Sequence, residues 1–122
     1  MKNIFLCLSI ATLMSACATS TSNKPLYHWD NTYSKSVYNH LNKNSDANKE
    51  IAQMEKAAQK AYEKQQKVPP GFYAHLGLLY NDIGNTEKMQ ENFKKEVELY
   101  EESKTYIEFL LKNKSVKKGG KK

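Results

Sequence analysis

The sequence predicts an all-α protein of about five short helices, and three observations point to this class. Apolar residues recur every three to four positions through most of the chain beyond residue 33, as in amphipathic helices. Polar clusters and Pro-Gly segments divide these stretches into lengths typical of globular helices. No stretch keeps the alternating pattern of a strand for more than a few residues.

Each helix is predicted from its own start and stop signals. Either Ser45 or Asp46 can cap the second helix. The Pro69–Gly71 segment ends that helix, because proline disfavours a helical residue before it. Gly84 is expected to be a left-handed C-terminal cap, and Asn85 the N-cap of the helix that follows. The predicted helices are Ser34–Leu41, Ala47–Gln66, Pro70–Ile83, Thr86–Tyr100 and Ser103–Lys112.

The same spacing predicts which side chains are buried. The predicted apolar faces are Val37, Tyr38 and Leu41 in the first helix; Ile51, Met54, Ala58, Ala61, Tyr62 and Gln65 in the second; Tyr73, Leu76, Gly77 and Tyr80 in the third; Met89, Phe93, Val97 and Tyr100 in the fourth; and Tyr106, Ile107, Leu110 and Leu111 in the fifth. Glu91 and Lys95 are expected to pair on the solvent side. The acidic pairs Glu96/Glu98 and Glu101/Glu102 are predicted to lie on solvated helix surface.

Composition excludes several protein classes. The chain has 122 residues, of which 26% are charged and 39% hydrophobic, so it forms one small domain. Both cysteines, Cys7 and Cys17, lie near the start, so a disulfide scaffold is excluded. The one apolar run is too short to span a bilayer, which excludes a polytopic membrane protein.

The first 16 residues have the pattern of a secretory signal. Lys2 is followed by an apolar stretch from Ile4 to Leu13, and then by Ser15-Ala16-Cys17. A cysteine directly after small residues resembles a bacterial lipobox, which implies lipidation of Cys17 and an outer-membrane lipoprotein. The alternative is an ordinary signal peptide cut near Ala16 or Ala18.

The rest of the chain is divided by composition. Residues 17–25 are predicted to be the lipidated cysteine and a flexible tether, and residues 26–112 the helical domain. Residues 113–122 are predicted to be a disordered lysine-rich tail, since six of the nineteen lysines lie in the last eleven residues. This tail either serves solubility or contacts an anionic surface. Nucleic acid is not expected as a partner, because no aromatic residues interleave with these lysines.

An aromatic segment precedes the first helix. Pro25 is followed by Tyr27, Trp29 and Tyr33, which suggests an extended segment packed against the domain. Two interpretations stay open, an arm that covers the core and an aromatic patch that binds a ligand.

The two central helices resemble a tetratricopeptide repeat. The pattern Tyr73-x₂-Leu76-Gly77-x₂-Tyr80 matches the first helix of that repeat, Gly84 supplies its turn, and Met89-x₃-Phe93 matches its second helix. Two flanking stretches resemble degenerate half-repeats, Ala58-x₃-Tyr62 before it and Ile107-x₂-Leu110 after it. The resemblance implies that Gly77 lies where the two helices cross closely.

The same resemblance implies where a partner would bind. Repeat proteins bind partners on their concave surface, and the alignment places four residues there by resemblance: Ala74, Leu78, Asn81 and Asp82. A clamp for carboxylates would need lysine or asparagine where this chain has Ala74 and Leu78, so such a clamp is not expected.

The whole chain resembles a family of small bacterial lipoproteins, domain-of-unknown-function family 4810. The resemblance rests on the lipobox, on Pro-Leu-Tyr-His-Trp at 25–29, and on Val-Pro-Pro-Gly-x-x-Ala-His-Leu-Gly-x-Leu-Tyr at 68–80. Genes of that family commonly accompany two other lipoproteins, one of them similar to the curli secretion channel. This implies an envelope assembly with lipoprotein partners, and no catalytic residue is assigned in the family.

The sequence carries no recognisable catalytic or metal-binding pattern. It has no glycine-rich phosphate loop, no Gly-x-Ser-x-Gly and no His-Glu-x-x-His. The histidines are scattered, and His75 is expected to pack on a helix face, so we expect no metal, no cofactor and no enzyme activity. The leading hypothesis is a protein-binding or scaffold module. A structural subunit of an export complex without a free ligand comes second, and an envelope hydrolase third.

Overall fold

A computed structural model of the chain describes residues 23–113. This part of the chain is all-α, as predicted, with five α-helices and one short 3₁₀ turn. The helices are α1 (Thr32–Leu41), α2 (Ala47–Glu63), α3 (Phe72–Asp82), α4 (Thr86–Leu99) and α5 (Lys104–Lys112), and the 3₁₀ turn covers Glu101–Ser103. The predicted signal peptide, the lipidation site Cys17 and residues 114–122 of the tail lie outside the described residues.

Helix α2 ends three residues earlier than predicted. Gln65 adopts a left-handed backbone conformation with φ 53°, which a continuing helix would not allow. Beyond it, the chain bonds to the segment before α1, where the Lys67 N–H donates to the Leu26 carbonyl at 3.0 Å and the His28 N–H donates to the Lys67 carbonyl at 2.8 Å. These backbone groups therefore leave the helix for a partner far away in sequence.

The aromatic segment before α1 is extended and lies against the domain. Tyr27 and Lys67 form an isolated parallel bridge, and the Gln66 side chain donates to the Pro25 carbonyl at 2.9 Å. The Tyr27 ring lies 6.5 Å from that of Tyr100. We call residues 25–31 the arm.

The core lies between α2, α3 and α4, with α3 at its centre. Helix α3 buries eight of its eleven residues, whereas its neighbours each keep a broad solvated face. Leu79 and Met54 are fully buried at the contact of α3 with α2 and with the rest of the core. Since α3 is packed on several sides, only a narrow strip of it stays accessible.

Helices α3 and α4 form a tight antiparallel pair. Gly84 turns the chain with φ 77°, and the Asn85 side chain caps α4 by accepting from the Lys88 N–H at 3.0 Å. A Cβ atom on Gly77 would lie 2.5 Å from the Phe93 ring. Gly77 therefore lies at a close helix crossing, as the sequence predicts.

The predicted buried faces of α1 and α2 are partly wrong. In α1, Tyr38 and Leu41 are exposed, and the buried residue is Ser36, whose hydroxyl bonds the Nε2 of His75 at 2.8 Å. In α2, Tyr62 is 80% exposed, while Ala57 and Ala61 are buried. The buried pair Ala57 and Ala61 is thus displaced by one residue at both positions from the predicted Ala58-x₃-Tyr62, while Ile51, Met54 and Ala61 of the predicted face are buried as expected.

Glu96 departs most from its prediction, since it was expected on solvated surface and is 0% exposed. Its carboxylate accepts from the backbone N–H groups of Gly71 at 2.7 Å and Tyr73 at 3.2 Å, and from the Ser103 hydroxyl at 2.9 Å. The first turn of a helix has unpaired N–H groups and a partial positive charge. Glu96 supplies the cap that Gly71, without a side chain, cannot give to α3.

Candidate functional site

A groove runs between α1, α3 and the start of α5. Its volume is about 160 Å³. The lining residues come from all three helices and from the position before α3: Tyr33, Val37, His40, Leu41, Gly71, His75, Leu78 and Tyr106. We call this the α1–α3–α5 groove.

The rim of the groove is apolar and accessible. Leu41 is 74% exposed and Tyr106 is 49% exposed, although both are large hydrophobic side chains. Val37 and Leu78 are half-buried on the walls. Exposed apolar side chains gathered around a concavity are typical of an interaction surface.

The floor of the groove carries two histidines. The ring of His75 lies 5.5 Å from that of His40, and His40 Nδ1 lies 3.3 Å from an Asp82 carboxylate oxygen. Burial, and in smaller part the neighbouring His40, lowers the pKa of His75 to about 4. His75 is therefore neutral at pH 7, and the deep part of the groove carries no charge from it.

Ser36 and His75 do not make an accessible nucleophile pair. Ser36 is 0% exposed, so a substrate has no path to its hydroxyl. The 2.8 Å bond between them joins α1 to α3 and forms part of the floor. Among residues 23–113, no group of three or more His, Cys, Asp or Glu side chains converges as a metal site would require.

The four predicted partner-binding residues divide into two pairs. Leu78 lines the groove, and Asp82 is exposed, with a carboxylate oxygen 3.3 Å from His40 Nδ1. Ala74 is 1% exposed and Asn81 is also buried, so the expectation that they present a surface to a partner is wrong. The reason is the central position of α3, which leaves Leu78 and Asp82 accessible on one side of the helix and Tyr73 on another.

Sequence reasoning missed the part of the groove that other helices supply. Val37 and Leu41 were assigned to a buried stripe, and Tyr106 to the apolar face of the last helix, but all three line the groove. His40 was left as a scattered histidine, although its ring lies close to both His75 and Asp82. No local pattern in the sequence joins these residues, because they lie on helices far apart in the chain.

Comparison with known families places the chain in one of them. The model of the family described as a domain of unknown function (DUF4810) matches residues 26–110. This match covers well over half of the chain, so the protein belongs to that family. Comparisons with curated proteins and with solved structures gave no match. Within the described residues, no helix has the length and apolar content needed to cross a membrane.

Proposed function

We propose that this protein is a lipoprotein of the bacterial outer membrane, anchored through Cys17, whose helical domain binds a partner protein in the α1–α3–α5 groove. The observation that carries the proposal is the groove itself, where Leu41, Leu78 and Tyr106 offer apolar surface around a cavity of about 160 Å³. The partner belongs to a cell-envelope assembly, and by family resemblance it is another lipoprotein, similar to the curli secretion channel.

The packing of α3 on α4 supports a tetratricopeptide-like repeat. Gly77 lies against Phe93, and Gly84 forms the turn, at the positions that this repeat requires. In that arrangement α1 and α2 are a degenerate preceding repeat, and α5 begins a following one. The α1–α3–α5 groove is then the concave surface on which such arrays bind their partners.

The lining of the groove indicates an apolar partner segment. Ala74 is buried and Leu78 is apolar, so the strip of α3 offers no lysine or asparagine to a terminal carboxylate. Tyr33 and Tyr106 add aromatic surface from α1 and α5. A helix or extended segment with one apolar face fits this lining, with the His40–Asp82 pair at one side.

A second candidate is a structural subunit whose outer helix is covered by the assembly. Phe109 is 60% exposed on α5, and a second hollow of about 270 Å³ lies between α4 and α5, lined in part by Phe93, Val97 and Leu111. In a repeat array the next helix would cover the hollow, and Phe109, on the other side of α5, would be covered by another part of the assembly. The protein would then have no separate ligand in the α1–α3–α5 groove.

The lipid anchor is tested by Cys17→Ser in cells supplied with labelled palmitate. Label should be lost and the protein released from the membrane fraction, because the thioether can no longer form. Cys7→Ser is the matched control, since that residue lies within the predicted signal, and it should leave labelling unchanged. Membrane partition that survives Cys17→Ser would contradict the anchor.

Partner binding is tested by photo-crosslinking in intact cells. A photoreactive residue at Leu41 or Leu78 should give one discrete crosslinked product, whereas one at Glu98, exposed on α4 away from the groove, should not. The product formed from the photoreactive residue at Leu41 should disappear when Leu78→Arg is introduced as well. Crosslinks from Phe109 with none from Leu41 or Leu78 would favour the structural subunit.

A further inference from the structure

A second concave surface lies between α1 and α2, away from the α1–α3–α5 groove. Its volume is about 330 Å³. Three lysines line it, Lys35 from α1 and Lys56 and Lys60 from α2, together with Gln53 and Asp30. We call it the lysine groove.

The three lysines are available to an external anion. Within residues 23–113 none of them forms an ion pair, whereas Lys88, Lys94 and Lys95 on α4 are each paired with a glutamate. The acid of the groove, Asp30, already bonds His28 Nε2 and the Thr32 N–H, both at 3.1 Å. The groove therefore keeps an excess of positive charge.

The positive charge continues along α2. Lys49 lies about two turns before Lys56, and Lys64 lies about one turn after Lys60. These four lysines therefore share one face of the helix. Glu63 lies at the edge of this face and accepts from Gln59 at 3.2 Å. The result is a lysine stripe, which suits a surface of repeated negative groups better than one ion.

An exposed aromatic side chain of the arm lies beside the lysine groove. Trp29 is 60% exposed. Trp29 lines a small hollow that shares Asp30, Asn31 and Ala57 with the lysine groove, so the two surfaces are contiguous. Tryptophan beside lysine is the combination found at the interface of membranes, where the ring enters the headgroup layer and the ammonium meets phosphate.

We propose that the lysine groove and the arm dock the domain onto an anionic phospholipid surface, with Trp29 in the headgroup layer. The inference rests on the proposed anchor in one respect, the position of the arm. The arm begins eight residues after Cys17, so an anchored chain holds it within about 30 Å of the bilayer. Charge complementarity then selects the face that meets the phosphates.

Trp29 gives a direct measurement, because it is the only tryptophan of the chain. We would reconstitute the full lipidated protein in phosphatidylcholine vesicles with brominated acyl chains, with and without phosphatidylglycerol. Quenching of Trp29 emission should be several-fold stronger with the anionic lipid. Equal quenching in the two vesicles, or none, would overturn the proposal while leaving the anchor intact.

Lysine variants identify the surface. Lys35→Gln/Lys56→Gln/Lys60→Gln should abolish the effect of phosphatidylglycerol, and in the Cys17→Ser chain it should lower partition onto anionic vesicles about a hundredfold. The charge-matched control Lys88→Gln/Lys94→Gln/Lys95→Gln should change neither result. A chain lacking residues 114–122 should keep the quenching of Trp29. This result would distinguish binding through the lysine groove from binding through the lysine-rich tail.

Two further outcomes would overturn the proposal. Equal losses in the two lysine triples would mean that only net charge matters. If the lysine-groove triple instead loses crosslinks to an acidic envelope protein, and Trp29 stays unquenched by the bilayer, the partner is a protein. Failure of the anchor is seen separately, as palmitate labelling that is absent from the unmodified protein or that persists in Cys17→Ser.

Discussion

At the scale of single residues, Glu96 determines how α3 begins. The helix starts after Gly71, whose backbone is left-handed with φ 91° and which has no side chain to cap the N–H groups that follow. A carboxylate from α4 accepts these bonds in a site without exposed surface. The bond to Ser103 also ties the 3₁₀ turn to the same carboxylate, so one side chain joins three elements.

Glu96→Ala should therefore destabilise the domain by about 2–4 kcal/mol, because buried N–H donors would lose their acceptor. Urea unfolding followed by circular dichroism measures this loss. Glu98→Ala is the control two residues further along α4, exposed and paired only with Lys94 at 3.7 Å, and it should cost less than about 0.5 kcal/mol. Equal effects of the two variants would contradict the buried cap.

Gly77 is the second residue whose size is fixed by its surroundings. Gly77→Val should cost about 1–3 kcal/mol or more, since a Cβ at this position would lie 2.5 Å from the Phe93 ring and 3.2 Å from the Met89 carbonyl. Helix propensity alone would change stability in the opposite direction. The sign of the change in unfolding free energy therefore decides between a close crossing and a solvent-facing glycine.

A double-mutant cycle tests the contact itself. Phe93→Leu shortens the side chain that Gly77→Val meets, so the two changes together should cost less than the sum of their separate costs. Additive costs would show that the strain arises elsewhere.

At the scale of elements, each helix depends on its ends as well as on its apolar face. The sequence left two candidates for the cap of α2, and the structure selects Asp46, whose carboxylate accepts from the Lys49 N–H at 3.3 Å. The Ser45 hydroxyl is buried and has no hydrogen-bond partner. The residue closest to the helix is the one whose side chain reaches its first turn.

Asp46→Ala should therefore cost about 1 kcal/mol, as the loss of an N-cap usually does. Ser45→Ala is the matched control, and it should be neutral or slightly stabilising, because it removes a polar group that is unpaired when buried. Melting temperatures of the two variants give the comparison. A larger loss of stability in Ser45→Ala than in Asp46→Ala would show that Ser45, and not Asp46, caps α2.

At the scale of the whole molecule, α1 connects the two proposed surfaces. One of its faces lines the α1–α3–α5 groove through Val37 and Leu41, and Lys35 belongs to the lysine groove. Its attachment to the core includes the buried bond between Ser36 and His75. Asn39 adds a bond to Glu50 of α2 at 2.7 Å. These polar contacts add to the packing of Tyr33 on the core, whereas Tyr38 and Leu41 of the same helix are exposed.

This attachment predicts a dependence of stability on pH. The pKa of His75 is lowered to about 4 by burial and by His40, against an opposing effect of Glu50, while the unfolded chain takes up the same proton near pH 6.5. The unfolded state therefore binds more protons in this window. The contribution of neutral His75 to the free energy of unfolding should be complete above about pH 7. The free energy of unfolding should then fall by roughly 2–4 kcal/mol as the pH drops from 6.5 towards 4.

The contribution of His75 is isolated by His75→Gln, whose amide can still bond Ser36. The difference in unfolding free energy between pH 7 and pH 4.5 should be smaller in this variant than in the unmodified protein. Identical slopes in the two proteins would show that other groups cause the acid sensitivity.

Within residues 23–113, the sequence by itself determined the number of α-helices, most of their ends to within one residue, and much of the core, because spacing and capping are local properties. Spacing placed Gly77, Met89 and Phe93 on apolar faces, and the resemblance to the repeat brought them together at one crossing. Only the tertiary structure decided which faces of α1 and α2 are buried, that Glu96 and Ala74 are buried, and that His40 and His75 meet at the floor of the groove. These depend on residues more than twenty positions apart: Ser36 with His75, Glu96 with Gly71, and His40 with Asp82. A charged residue in a helix has the same local pattern whether it meets water or caps a neighbouring helix, so only the packed arrangement distinguishes them.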